Sequence, residues 1–336
     1  MHAVRNIAFV TALAILVGCQ KKEEAKPEAA AKAPLKIAYS DWPGWTAFEI
    51  AKQKGWFKEA GVDVEFSWFE YAPSMEAFTA GKVDAVTIAS GDALVTGAGA
   101  QGGKNVAILV TDYSNGNDMI VAKPGIASLK DLKGKKVGIE IGLVEHLLLS
   151  KGLQKIGLKE TDVTLVGTPT NQAAQVLAAG DVSAIGAWQP NSGQALKSVA
   201  GSKAIYTSAD EPGLIYDFLS VSPQSLAERR DDWVKVVKVW DRVVKYLADS
   251  TTRKDGIAIM AARVGVKPEE YAAFLEGTKF LTLAESRPRF QPGTSLASIP
   301  YSMSVADTFN VANKVYKESL KVSGFLDSTL MVDALK

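Results

Sequence analysis

The run Ala80-Gly81-Lys82-Val83-Asp84-Ala85 returns later in the chain as Ala179-Gly180-Asp181-Val182-Ser183-Ala184. In both copies Gly follows a helical stretch, where a left-handed cap suits a residue without a side chain, and a short apolar strand comes next. Such a junction is common alone; its surroundings decide the fold. Around the first copy, Leu35–Ser40 reads as a strand and Thr46–Lys54 as a helix stopped by Gly55. Val62–Phe69 is a second strand, a helix opened by Glu70-Tyr71-Ala72-Pro73 runs to Ala80, and Val83–Ala89 is a third strand. Around the second copy the same order holds: strand Lys136–Ile141, helix Val144–Ile156, strand Asp162–Gly167, helix Asn171–Ala179, strand Ser183–Trp188. Two βαβαβ units predict two α/β lobes, each built on a parallel sheet with its loops gathered along one edge.

Two extended runs, Met119–Ala122 and Phe218–Val221, would carry the chain from lobe to lobe. A double crossing is a hinge, and closure about it buries a small molecule. Beyond Asp217 the pattern turns helical. Trp233, Val236, Val237, Trp240, Val243, Val244 and Leu247 fall on one helical stripe, which predicts core packing for both tryptophans. Further helices are expected at Ala261–Val264, Lys267–Glu276 and Val305–Leu320.

The first residues address the chain. Arg5 and the apolar stretch Ile7–Val17, interrupted by Thr11, form an export signal too short to span a bilayer. It ends in Leu16-Val17-Gly18-Cys19, which resembles a bacterial lipoprotein lipobox and implies cleavage before Cys19 and lipidation (palmitate among the acyl groups) of its thiol. Gln20–Pro34 is Lys, Glu, Ala and Pro with little to bury, a solvated tether reaching at most roughly 50 Å. The expected location is the cell envelope, outside the cytoplasm. Composition excludes much else. With 38 Lys and Arg against 37 Asp and Glu there is no net field for nucleic acid. One Cys forbids an internal disulfide, and two His, His2 and His146, leave no multi-His metal site and few routes to a catalytic triad. No cofactor and no metal are expected.

Ligands of open parallel sheets bind beyond the carboxyl ends of the strands. The first lobe offers Asp41, Trp42 and Trp45, then Glu70 and Tyr71, then Ser90-Gly91-Asp92. Glu140, Gly142 and Glu145, Thr168–Gln172 and Trp188–Asn191 come from the second. Asp112–Asp118 and Ala209–Asp217 lie between them. From these the expected ligand-binding set is Asp41, Trp42, Trp45, Tyr71, Ser90, Asn117, Asp118, Glu140, Glu145, Trp188 and Asp217, with no catalytic residue. Trp56, Trp68 and His146 are read as structural.

Several of these stretches resemble a known family. Gly55-Trp56-Phe57-Lys58-Glu59-Ala60-Gly61-Val62-Asp63-Val64, Ala80–Ala85 followed by Ser90-Gly91-Asp92, Leu129-Lys130-Asp131-Leu132-Lys133-Gly134-Lys135-Lys136-Val137-Gly138 and Trp188-Gln189-Pro190 are similar to elements of ABC-importer binding proteins for nitrate, sulfonates, taurine and thiamine-pyrimidine precursors. The resemblance covers residues 35–335. It implies a type II periplasmic-binding-protein fold: a signal peptide over 1–18, a tether over 19–34, lobe 1 over 35–120 and 218–336, and lobe 2 over 121–217. It also implies a monomer that delivers a small molecule to separate permease and ATPase chains.

The anion-binding members tend to offer hydroxyls or a base at the first strand end of the second lobe. Here that position reads Glu140-Ile141-Gly142-Leu143-Val144-Glu145, and the candidate loops are rich in acids and aromatic rings. Carboxylates are costly to bury unpaired, and π faces suit cations or flat heterocycles. The expectation is therefore a cationic or neutral nitrogenous ligand. A sulfonate, taurine or nitrate ligand, a sensing lipoprotein without a transporter, and an enzyme on this fold are the alternatives.

Overall fold

The computed structural model describes residues 32–99 and 105–336. The export signal, Cys19 and most of the tether lie outside the described residues. Among the described residues there are eleven strands: β1 (Leu35–Tyr39), β2 (Val64–Trp68), β3 (Ala85–Ala89), β4 (Val106–Ser114), β5 (Met119–Ala122), β6 (Lys136–Ile139), β7 (Thr164–Gly167), β8 (Ala184–Ala187), β9 (Lys203–Thr207), β10 (Tyr216–Val221) and β11 (Thr278–Phe280). They form two sheets, ordered β11-β4-β10-β3-β1-β2 and β7-β6-β8-β5-β9. Each contains one of the two βαβαβ units. Gly81 and Gly180, the matching residues of the repeat, both take left-handed backbone angles (φ 67° and 104°), which a residue with a Cβ adopts only at a cost.

The sheets are mixed, and here the expectation of purely parallel lobes is corrected. β1 pairs in parallel with β2 and β3, and β6 with β7 and β8. β10, however, lies antiparallel between β3 and β4, and β5 antiparallel between β8 and β9. The reason is direction of arrival. β10 enters the first sheet beside the end of β3, with Asp217 opposite Ala89, and then runs away from that edge. β5 does the same, with Met119 opposite Ala187. The chain passes from the first sheet to the second between Ser114 and Met119 and returns between Thr207 and Tyr216. Each sheet therefore receives its antiparallel inner strand directly from the other sheet.

The helix Pro223–Ala248 buries the predicted stripe, with Trp233 and Trp240 fully enclosed. Trp56 is buried, and the Arg242 guanidinium lies 4.0 Å from the centre of its ring. Arg263 packs likewise over Trp68, at 3.8 Å. Two helix readings need revision. Thr46–Lys54 is broken into Pro43–Thr46 and Phe48–Gln53. The stretch Val305–Leu320 belongs to a helix Ile299–Ala312 that stops at Asn313, with Lys314 left-handed (φ 59°). Asp307 draws the chain back by accepting bonds from the Tyr316 hydroxyl (2.8 Å) and the Leu320 amide (2.9 Å). Among the described residues no helix is long and apolar enough to cross a membrane.

Candidate functional site

The topology sets the ends of β1, β2, β3, β6, β7 and β8, and the starts of β5 and β10, along one facing edge. Two cavities lie there. The outer is a cleft of about 520 Å³. From the first sheet it takes Asp41 after β1 and Glu70, Tyr71 and Pro73 after β2. The second sheet contributes Glu140, Ile141 and Leu143 after β6, Thr168–Gln172 after β7, and Trp188 and Asn191 after β8. The inner is a tight chamber of about 10 Å³, room for about one water. Its walls are Trp42, Trp45, Tyr71, Trp188, Ala89, Val144 and Ile215, with the carboxyls of Asp118 and Asp217. Tyr71 and Trp188 line both spaces and meet edge to face, with centroids 5.1 Å apart. Among the described residues, no Lys, Arg or His lines either space.

Local sequence explains the aromatic wall. Trp42-Pro43-Gly44-Trp45 makes a one-turn helix with Pro at its start, a position that needs no N–H. Gly44 is required there: a Cβ would stand 1.8 Å from Asp112 Oδ2. The Asp112 carboxylate in turn accepts from the Trp42 indole (2.9 Å) and from the Thr111 hydroxyl (2.8 Å). Trp45 stacks on Tyr71 at 5.4 Å, and the Tyr71 hydroxyl donates to Asp92 (2.7 Å) while accepting from the Ala89 amide (3.0 Å). Across the gap, Asp41 accepts from the Trp188 indole (3.0 Å) and from the Asn191 amide (2.7 Å), joining the first sheet to the second. The peptide between Gln189 and Pro190 is cis.

The electrostatics are unusual for so buried a place. Burial raises seven carboxyls in and around the two spaces: Asp92 to about 8, Asp118 and Glu140 to about 7, Asp112 to about 6, and Asp41, Glu145 and Asp217 above the usual carboxylate range. Mutual repulsion adds to this, as between Asp217 and Asp112 and between Glu145 and Asp118. The members of each of those two pairs also face one another within bonding reach. Two neighbouring carboxylates resist ionising together, so repulsion within each pair works in the same direction as burial.

Of the predicted site residues, the structure brings Asp41, Tyr71, Glu140 and Trp188 to the cleft, and Trp42, Trp45, Tyr71, Asp118, Trp188 and Asp217 to the chamber. Three fall elsewhere. Ser90 accepts from the Tyr216 amide (3.3 Å). Asn117 turns its amide to the Phe274 carbonyl (2.6 Å) and the Thr278 hydroxyl (2.8 Å). Glu145 is fully enclosed against Asp118 and lines neither space. His146 Nδ1 accepts from the Gly142 amide (3.0 Å), its Nε2 lies 2.9 Å from Glu160, and its ring packs on Phe309. Sequence reasoning passed over Ile141, Leu143, Val144 and Ile215, because an apolar residue beside a strand end looks like core. Ile141 is 55% exposed at the lip of the cleft.

Two lobes of this topology, with a cleft between their strand ends, define the fold of the periplasmic solute-binding proteins. The chain belongs to the family described as NMT1/THI5 like, whose profile matches residues 42–251. It is 30% identical over 179 residues to a binding protein of Brucella abortus, a stretch of 53% of this chain and 54% of that one. The chain thus spans about half the length of that relative. An Escherichia coli K12 protein named for binding aliphatic sulfonates is 26% identical over 260 residues, 75% of this chain and 77% of its own. Among solved structures, the alkanesulfonate-binding protein SsuA of Xanthomonas axonopodis bound to MOPS superposes with a TM-score of 0.71 at 19% identity, over 89% of this chain and all of that one. The desulfurization enzyme DszB shares the fold with a TM-score of 0.64 at 15% identity, over 90% and 99% of the two chains.

Proposed function

We propose that this chain is the extracytoplasmic solute-binding component of an ABC importer, anchored through a lipid on Cys19, and that it captures a small cationic or neutral nitrogenous compound. Residues 35–120 with 218–336 would move against 121–217 about the two crossings, and the closed form would be handed to a permease and its ATPase. The observation that carries the ligand class is the lining of the site. Asp118 and Asp217 are 2% and 3% exposed, stand among four aromatic rings, and meet no basic residue in either cavity. A cation supplies the missing charge, and the ring faces attract it further. The name of the E. coli relative favours a second reading, a sulfonate ligand. That anion would meet carboxylates at close range, at a cost of about 4 kcal/mol per charge at 4 Å with an effective dielectric of 20.

Isothermal titration of the mature protein with taurine, nitrate, aminopyrimidines, amines and guanidinium compounds tests the assignment. Binding of a nitrogen compound, with taurine and nitrate silent, is expected. Tight taurine or nitrate binding with no nitrogen compound bound overturns it in favour of the second reading.

A further inference from the structure

The inner chamber specifies more than charge. Three tryptophans wall it, and two of their indole N–H groups already have acceptors built for them: Trp42 reaches Asp112 and Trp188 reaches Asp41. The third does not. Trp45 Nε1 is buried, and no acceptor among the described residues meets it. Asp118 and Asp217 line the same chamber, and the Oδ2 of each is buried with no hydrogen-bond partner among the described residues. Tyr71 cannot help, because its hydroxyl is committed to Asp92. The residues that wall the chamber therefore carry two acceptors and one donor without partners among the described residues.

Buried polar groups left in this state are costly, and a ligand that satisfies all three recovers the cost. A plain anion would find one donor and two like charges. An alkylammonium would satisfy the carboxylates and leave the indole empty. Resting on the solute-binding reading above, we infer that the ligand's head group carries a protonated nitrogen together with a hydrogen-bond acceptor a few atoms away, the nitrogen held by Asp118 and Asp217 and the acceptor read by Trp45. Trp45 is then a specificity-determining residue. The rest of the ligand extends past Tyr71 and Trp188 into the outer cleft, where the Thr170, Asn171 and Gln172 loop is neutral and polar. Because the chamber as it stands holds only about one water, the head enters with the lobes parted and Trp188 withdrawn.

Matched amines separate the acceptor from the charge. Ethanolamine and n-propylamine share size and charge, as do 3-(aminomethyl)pyridine and benzylamine; the first of each pair alone carries an acceptor. Calorimetry on the unaltered mature protein is expected to show the acceptor-bearing member binding about tenfold tighter in at least one pair, the worth of a buried hydrogen bond. In Trp45→Phe, which keeps a ring in the wall and removes the N–H, the ratio is expected to fall to about two. Asp118→Asn is expected to weaken both members of a pair together. Equal binding within both pairs by the unaltered protein overturns the inference and leaves the nitrogen-ligand reading standing, whether or not Trp45→Phe folds. A ratio that persists in folded Trp45→Phe overturns the role of Trp45. If no amine binds while taurine or nitrate does, the functional reading falls first and takes this inference with it.

Discussion

Two buried acidic sites flank the first strand, and they are built on opposite plans. Behind β1, Glu49 accepts from the Tyr39 hydroxyl and lies 3.4 Å from Arg263 and 3.3 Å from Lys52. Arg263 also donates to the Tyr39 hydroxyl (2.8 Å) and covers Trp68. Every charge there has its counter-charge within the protein. Beyond the end of β1, Asp118, Asp217, Glu140 and Glu145 meet other acids and a few neutral donors, and none has a counter-charge among the described residues. The first site is complete without a ligand, and the second is not. Evolution can leave acids unpaired only where something else arrives to pair them, or where the stability lost is tolerated.

The comparison breaks if the two sites respond alike to loss of an acid. Trp188→Ala, which removes the ring common to both cavities, is expected to lower affinity more than about a hundredfold by calorimetry, with the far-ultraviolet circular dichroism unchanged. Glu49→Ala is expected to cost about 2 kcal/mol in urea unfolding, less than a fully buried pair because Arg263 is partly exposed, and to leave ligand affinity alone. Asp118→Asn should do the reverse, weakening a cationic ligand by about tenfold or more while the empty protein melts no lower than before.

Titration sharpens the contrast. Asp92, Asp118, Glu140 and Asp112 have folded values of about 8, 7, 7 and 6, against about 4 in an unfolded chain. Raised values mean that the folded state holds protons the unfolded state has released. Their stabilising contribution is therefore full below about pH 4 and is lost as pH rises through 6 to 8. The melting temperature of the empty protein should fall over that window, less steeply in Asp118→Asn. Affinity for a cation should rise over the same window, since the ligand replaces protons. Calorimetry in buffers of different ionisation heat would read their release. The smallest effect expected is at the bond across the gap: Asp41→Ala removes the contacts to Trp188 and Asn191 and should speed ligand dissociation only a few-fold in stopped flow.

Much of this frame is legible in the sequence, because it rests on local rules. A left-handed Gly after a helix and an apolar strand of fixed length locate both βαβαβ units, and the rule that ligands lie beyond strand ends locates the cleft. What the sequence hides is long-range. Ser90 and Asn117 have the chemistry of ligand contacts, yet their partners Tyr216, Phe274 and Thr278 are brought to them only by the finished fold. The facing of Asp112 with Asp217 depends on β10 lying against β4, which no local pattern announces. Lys314 ends a helical register early because Asp307 claims the residues that follow.

The interleaved inner strands bear on how the protein is made. The first sheet lacks the strand between β3 and β4 until Tyr216–Val221 has been synthesised, since that strand is β10. A nascent chain ending anywhere in the second lobe exposes two unzipped sheet edges that invite pairing with other chains. Folding of the first sheet must therefore wait on a distant segment, which slows it, whereas the strands of the second sheet, β5 to β9, all lie in one unbroken stretch of chain.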